Sequence, residues 1–210
     1  MDAVDRLLTS ETGRAPRADA RRNVERLVAA ARAAVAEVGV DVTAHEIARR
    51  AGVGIGTFYR RVPSREALLA AVLADLLDEM LVIARRAVDD PDPWRGFTGF
   101  ATAYVRLRAA SCGLNAALGG ECGLALDPQL ARVREHIRLL VGHAKEAGVL
   151  REDVTWEDVA FLLASVTTAD RTLGLPAGDE QWRRNLRIVL DGLRAGGMEP
   201  PEESAAGRRG

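Results

Sequence analysis

Apolar residues recur at steps of three and four along almost the whole chain, and no long stretch alternates with period two. The pattern predicts an all-α protein of about nine helices. Val24, Leu27, Val28, Ala31, Ala34, Val35 and Val38 make the stripe of a first long helix, with Asp19 placed to cap its start and Gly39 its end. Thr43-Ala44-His45-Glu46 fits the S/T-x-x-E form that opens a helix by satisfying two free backbone N–H groups, so a short second helix follows. Ala51-Gly52-Val53 reads as a tight turn, residues 55–61 as a short third helix, and Pro63 as its stop. Ser64 caps a long fourth helix carrying Leu68, Leu69, Val72, Leu73, Leu76, Leu77, Met80, Leu81 and Ala84. Further helices are predicted at about 93–110, within 111–127, and at 128–147, 155–172 and 178–195. Residues 1–17 and 196–210 read as a disordered arm and tail.

A chain of 210 residues can bury a sizeable core. The expected division is a head over residues 18–64, with its paired short helices at about 43–62, and a larger body over 65–195. The net charge of −1 hides an asymmetry: residues 14–65 carry 11 basic and 5 acidic side chains. A basic first third on a mildly acidic remainder suits a polyanion, and ordinary helix-surface arginine is the plainer explanation. No apolar run approaches a membrane span, and the N-terminus has no secretory h-region, which places the protein in the cytoplasm without a membrane partner.

Three glycines in five residues, Gly52-Val53-Gly54-Ile55-Gly56, invite two readings. A phosphate loop needs a strand before it and a helix aimed at the phosphates after it. Here a capped helix precedes the glycines, and the spacing is not GxGxxG. The other reading is helix, tight turn, second helix: the helix-turn-helix, whose second helix enters the DNA major groove. That helix needs small residues where it meets the sugar-phosphate backbone, and Gly54 and Gly56 supply them. Thr57 and Tyr59 offer donors to phosphate, Arg60 can pair with guanine, and Ile55 can touch a thymine methyl. Phe58 and Val53 would point inward. An ordinary packed αα-hairpin would leave the tyrosine and the basic surplus without a purpose.

The run T-A-H-E-I-A-R-R-A-G-V-G-I-G-T-F-Y-R-R-V-P-S-R-E-A-L-L closely resembles the signature of the TetR family of bacterial repressors. The specific match covers about residues 20–75. The resemblance implies a three-helix DNA-binding domain followed by a helical ligand-binding and dimerisation domain. It makes Thr43 a phosphate contact, places Gly54, Ile55 and Arg60 at base or groove contacts, and makes Thr57, Tyr59 and Arg65 phosphate contacts. The chain departs from the pattern at Gly54, where Ser is usual, at Arg61 (His), Val62 (Phe) and Arg65 (Lys). The resemblance also implies a transcriptional repressor released from a palindromic operator by an effector that changes the separation of two DNA-reading heads, with the fourth helix as connecting rod.

An effector pocket among the helices from about 80 to 170 would have apolar walls and a few polar groups, suiting a small apolar or amphipathic molecule. Met80, Trp94, Phe97, Phe100, Tyr104, Leu118, Phe161 and Leu162 are wall candidates. Asn115, His136, His143 and Thr167 are polar candidates. For each, plain core packing is the alternative. The last two helices would pair with a second copy through Val159, Leu163, Val166, Trp182, Leu186, Val189 and Leu190. Enzyme chemistry finds no support. His45-Glu46 lacks the second His of HExxH, and His136 and His143 are about 10 Å apart along a helix. No cofactor is expected. Cys112 and Cys122 leave one alternative, a ligand- or redox-sensing helical dimer with little or no DNA binding.

Overall fold

The computed structural model describes residues 2–9, 18–120, 122–166, 171–178 and 180–196. Among them are ten helices: α1 (Ala3–Thr9), α2 (Ala18–Glu37), α3 (Ala44–Arg50), α4 (Ile55–Arg61), α5 (Arg65–Val88), α6 (Pro93–Ala109), α7 (Cys112–Gly119), α8 (Asp127–Glu146), α9 (Trp156–Ser165) and α10 (Gln181–Leu193). The all-α class and the helix-turn-helix at the N-terminal end are as the periodicity predicts. The expected arm differs. Residues 3–9 form a helix that docks on α2 and α5, with Ala3 and Leu7 fully buried. Seven residues are too few to hold a helix in water. This one is held from outside: the Ala3 N–H donates to Asp75 Oδ2 at 2.8 Å, and Arg6 donates to Asp75 and, at 2.7 Å, to Asp78. Its two apolar i, i+4 pairs, Ala3–Leu7 and Val4–Leu8, are too short a signal to read from the sequence. Residues 10–17 and 197–210, the rest of the expected arm and most of the tail, lie outside the described residues.

Helix α5 is the axis of the molecule. Its buried set runs from Leu68 to Ala87 and packs against α1, α2, α6, α7 and α8. Head and body therefore share one continuous hydrophobic core instead of holding two. Side contacts lock the junction. Arg32 of α2 donates to Glu79 at 2.6 Å, and Arg132 of α8 donates to Asp78 at 3.4 Å. Gly113 of α7 lies so close to Val35 of α2 that a β-carbon there would overlap the valine side chain.

The C-terminal helices also differ from expectation. The helix predicted over 155–172 ends at Ser165, and Arg171–Thr172 (β1) pairs antiparallel with Leu175–Pro176 (β2). Leu173 and Gly174 both adopt positive φ between them, the conformation a two-residue hairpin turn requires. Its start is as the pattern suggests: Thr155 and Asp158 form a reciprocal capping box that holds the Asp158 carboxyl below its ordinary range, chiefly through the Thr155 backbone N–H. Leu150 and Arg194 pair as an isolated bridge that ties the end of α10 to the α8–α9 connection.

Because α1 is held by burial, Leu7→Ala is expected to destabilise the fold by about 2–5 kcal/mol. Thermal melts of this variant against wild type check the figure; an unchanged midpoint would mean that α1 contributes nothing to the core.

Candidate nucleic-acid interface

The paired helices α3 and α4 stand on a small buried base of Ala44, Ile47, Ala48, Phe58 and Val62. Val62 is 2% exposed, so the smaller residue still closes the core beneath α4. Thr43 caps α3, its Oγ1 accepting from the Glu46 N–H at 3.2 Å. The second half of the expected capping box is not made. The Glu46 carboxylate turns instead to Arg49 (2.7 and 2.9 Å) and Arg50 (2.7 Å). Those bonds, Arg49 first and then Arg50, lower its pKa to about 2. Gly52 takes φ +64° in the turn, which a side chain would strain.

Gly54 and Gly56 are glycines of another kind. Gly54 is the N-cap of α4 at φ −71°, and a β-carbon at either position would meet nothing within 4 Å. The fold does not require them. They leave open space on the outer face of α4, flanked by Tyr59, 58% exposed with its ring edge-on to Phe58, and by the exposed Arg60. Arg60 donates to Thr57 Oγ1 at 3.0 Å, and Ile55 is half-buried at the base of the same face. Gly54, Gly56, Tyr59 and Arg60 are thus exposed on α4 and its cap, with Ile55 and Thr57 half-buried between them and Thr43 at the neighbouring helix start.

Arg65 has another task. Its guanidinium donates to Val42 O at 2.7 Å, to Val40 O, and to Glu66 at 2.7 Å. It staples the α2–α3 connection to the start of α5, so all three of its nitrogens are engaged within the protein. Pairing also consumes most of the basic surplus read from the sequence. Arg21, Arg22, Arg32, Arg49 and Arg50 each have a carboxylate partner. Among the described head residues, Arg26, Arg60 and Arg61 are the arginines without one. Arg26 was not singled out by the sequence. From α2 its guanidinium reaches the turn, within 3.9 Å of where a Gly52 β-carbon would stand, held only by Asn23 at 2.5 Å. The signal that would have found it is a basic residue with no acidic neighbour at i±3 or i±4, where Arg22, Asn23, Ala29 and Ala30 stand, a pattern that no motif records.

The expected effector residues do not converge on one cavity. Met80, Phe97, Phe100 and Tyr104 are buried in the core, Phe100 against Tyr104 at 5.8 Å. Trp94 stacks on Phe97 at 5.9 Å and lies in an open groove of about 280 Å³ between α6 and α10, with Arg194 over its ring. Leu118 is half-buried, His143 is exposed, and His136 Nδ1 lies 2.8 Å from Arg132 O. Phe161 is 77% exposed, and Leu162 is exposed beside it. Thr167 lies outside the described residues. Tyr104 and Asn115 do come together, both accepting from Arg108. Of the expected pairing residues, Val159, Leu163, Val166 and Leu186 are buried within the chain, and Trp182, Val189 and Leu190 pack half-buried on the same core. The outward apolar residues of α9 and α10 are Phe161, Leu162 and Ile188, because the helix turns their positions away from the inward stripe. Cys112 is exposed and Cys122 half-buried, both as free thiols. Among the described residues no cluster of three or more His, Cys, Asp or Glu is arranged to hold a metal, and no helix is long and apolar enough to cross a membrane.

Residues 27–72 match the model of the tetR family of bacterial regulatory proteins, and residues 92–195 match the C-terminal domain of SbtR-like transcriptional regulators. A TetR transcription regulatory protein from Mycobacterium vanbaalenii is 34% identical over 84% of this chain and 98% of its own, with a TM-score of 0.57. The chain belongs to the TetR family. A TetR transcriptional regulator from Streptomyces coelicolor is 27% identical over 83% of this chain and 99% of its own (TM-score 0.61). The regulator PfmR from Thermus thermophilus shares the fold at 20% identity, covering 83% of this chain and all of its own (TM-score 0.64). None of the curated proteins compared with it matches. As a TetR-family member the protein is a DNA-binding transcriptional regulator and not an enzyme.

The charge pairing gives this TetR-family head a measurable signature. Arg26→Ala is expected to weaken binding evenly across DNA sequences and to make the salt dependence shallower by about one unit of log–log slope per head. Glu46→Gln frees Arg49, while Arg50 keeps Glu37 at 2.7 Å, so binding to non-specific DNA should tighten modestly and its salt dependence steepen. Fluorescence-anisotropy titrations at several salt concentrations check both; wild-type slopes in either variant would refute the assignment.

Proposed function

We propose that the protein is a homodimeric repressor that reads a palindromic operator and is released from it by a small-molecule effector. The observation that carries the DNA-reading part is the outer face of α4. Two glycines that the fold does not need leave room for a sugar-phosphate backbone, beside an exposed tyrosine and an arginine with no carboxylate partner. On this reading Thr43, Thr57 and Tyr59 bind phosphate. Gly54 and Gly56 admit the backbone, and Arg60 and Ile55 meet base edges. Arg26 adds a phosphate contact, and Arg65 makes none. A second copy docks on Phe161, Leu162 and Ile188, whose exposure on adjacent helices suits burial against their own symmetry mates. Two heads then read successive major grooves.

Purified protein titrated against the DNA upstream of its own gene, at two salt concentrations, tests the reading. Tyr59→Ala is expected to weaken binding on every sequence. Arg60→Ala is expected to cost about 1–3 kcal/mol and to relax the preference at one base pair. If neither variant differs from wild type on a site recovered by random-sequence selection, α4 is not the reading helix. Phe161→Glu with Ile188→Glu should halve the mass measured by light scattering and abolish operator binding together; a dimer that survives both changes places the interface elsewhere.

A further inference from the structure

Beyond Arg65, three side chains among the described residues of the body are cationic and half-buried: Arg108, Lys145 and Arg151. Lys145 donates to the Glu152 and Val154 carbonyls at 2.8 and 3.0 Å with the Glu152 carboxylate 4.0 Å away, and Arg151 holds Asp153 at 2.6 Å. Among the described residues Arg108 has no carboxylate partner. Its Nη1 donates to the Tyr104 hydroxyl at 3.0 Å, its Nη2 to the Asn115 carboxamide oxygen, and the guanidinium lies over the Tyr104 ring at 5.6 Å. Its Nε is buried with no acceptor. A partly buried guanidinium held by neutral partners, with one N–H unanswered, is an electrostatic deficit. The half-buried apolar residues Leu107 and Leu118 lie on the same two helices, α6 and α7.

We propose that Arg108, with Tyr104 and Asn115, receives the carboxylate of an amphipathic small molecule. The proposal rests on the reading of the body as an effector sensor. The planar fork of a guanidinium matches a carboxylate in a bidentate pair, and a single negative charge balances the single cation without leaving a surplus, as a phosphate dianion would. The Tyr104 hydroxyl, released from accepting the Arg108 N–H, can donate to the same anion. The apolar part of the ligand then faces the Leu107 and Leu118 side of the cluster. The site also has a route to the head. Asn115 lies on α7 two residues after Gly113, which packs directly on Val35 of α2. An anion that takes the Arg108 fork from Asn115 loosens the hold on the short helix that braces the DNA-binding domain.

Thermal melts with benzoate and hexanoate as probes, against benzamide and hexanamide at ionic strength matched with sodium chloride, test the site without knowledge of the natural ligand. Wild type should be stabilised by the carboxylates and not by the amides. Arg108→Met should lose that response, with apparent affinity down about tenfold or more, and should melt no lower than wild type without probe. Arg106→Met, an exposed neighbour, should keep the response, and Arg108→Lys should keep a weakened one. No carboxylate response in wild type, or an equal response in Arg108→Met, overturns the proposal. So does a large fall in the melting point of Arg108→Met with no added probe, which would make the cluster a structural brace. Operator binding measured on the same samples separates the two readings. Carboxylates that bind at Arg108 yet leave the DNA complex intact sustain the site and remove its role in release.

Discussion

Everything in this molecule leans on the buried face of α5. The helix is long enough for its first turns to close the DNA-binding head and its later turns to carry the body, and the apolar side chains between them belong to a single core. A head with its own core could swing freely on a linker. This head cannot, because moving α5 disturbs the packing of α1, α2, α6, α7 and α8 at once. Close-packed interiors resist gradual deformation, so a signal reaching α5 or its neighbours is passed on as a shift of whole helices. Three acidic side chains within little more than one turn, Asp75, Asp78 and Glu79, reinforce this by holding arginines from α1, α8 and α2. Two of those arginines are about half exposed and contribute little individually. Their value lies in fixing which helices are neighbours.

The head makes sparing use of charge. Its composition promises a strongly basic surface, but the folded domain spends most of its arginines on its own carboxylates. Glu46 alone holds two of them, and it stays ionised far below neutral pH because their hydrogen bonds favour the charged form. What is left facing outward is a small set of uncompensated cations grouped near α4. Non-specific attraction to DNA scales with the number of phosphates neutralised, so internal pairing lowers the raw electrostatic affinity of the head. The glycines fit the same economy. Gly52 is demanded by the backbone conformation of the turn, whereas Gly54 and Gly56 answer to no neighbour within the protein.

Much of this was legible in the sequence. Helical periodicity, Thr43 and Ser64 as caps, and the glycine turn foretold the class, the order of the helices and the turn that joins α3 to α4. They are local properties, set by backbone geometry and by which face of a helix is apolar. That Gly56, Thr57 and Arg60 lie on the side away from Phe58 follows from their spacing alone once Phe58 is assigned to the core. The hairpin over 171–176 was missed because its turn depends on Leu173 in a positive-φ conformation that a leucine seldom adopts.

Tertiary structure decided whatever depends on partners distant in the chain. Helix α1 is stable through Asp75 and Asp78, some seventy residues away. Arg65 is a staple because the Val40 and Val42 carbonyls come within its reach. The inward stripes of α9 and α10 looked like a pairing surface, but they close the protomer's own core and leave Phe161, Leu162 and Ile188 outside. Arg108 drew no notice as one arginine among many until folding gave it neutral partners, Tyr104 and Asn115, among the described residues. A sequence specifies which groups a helix presents, and only the packed chain specifies what each of them meets.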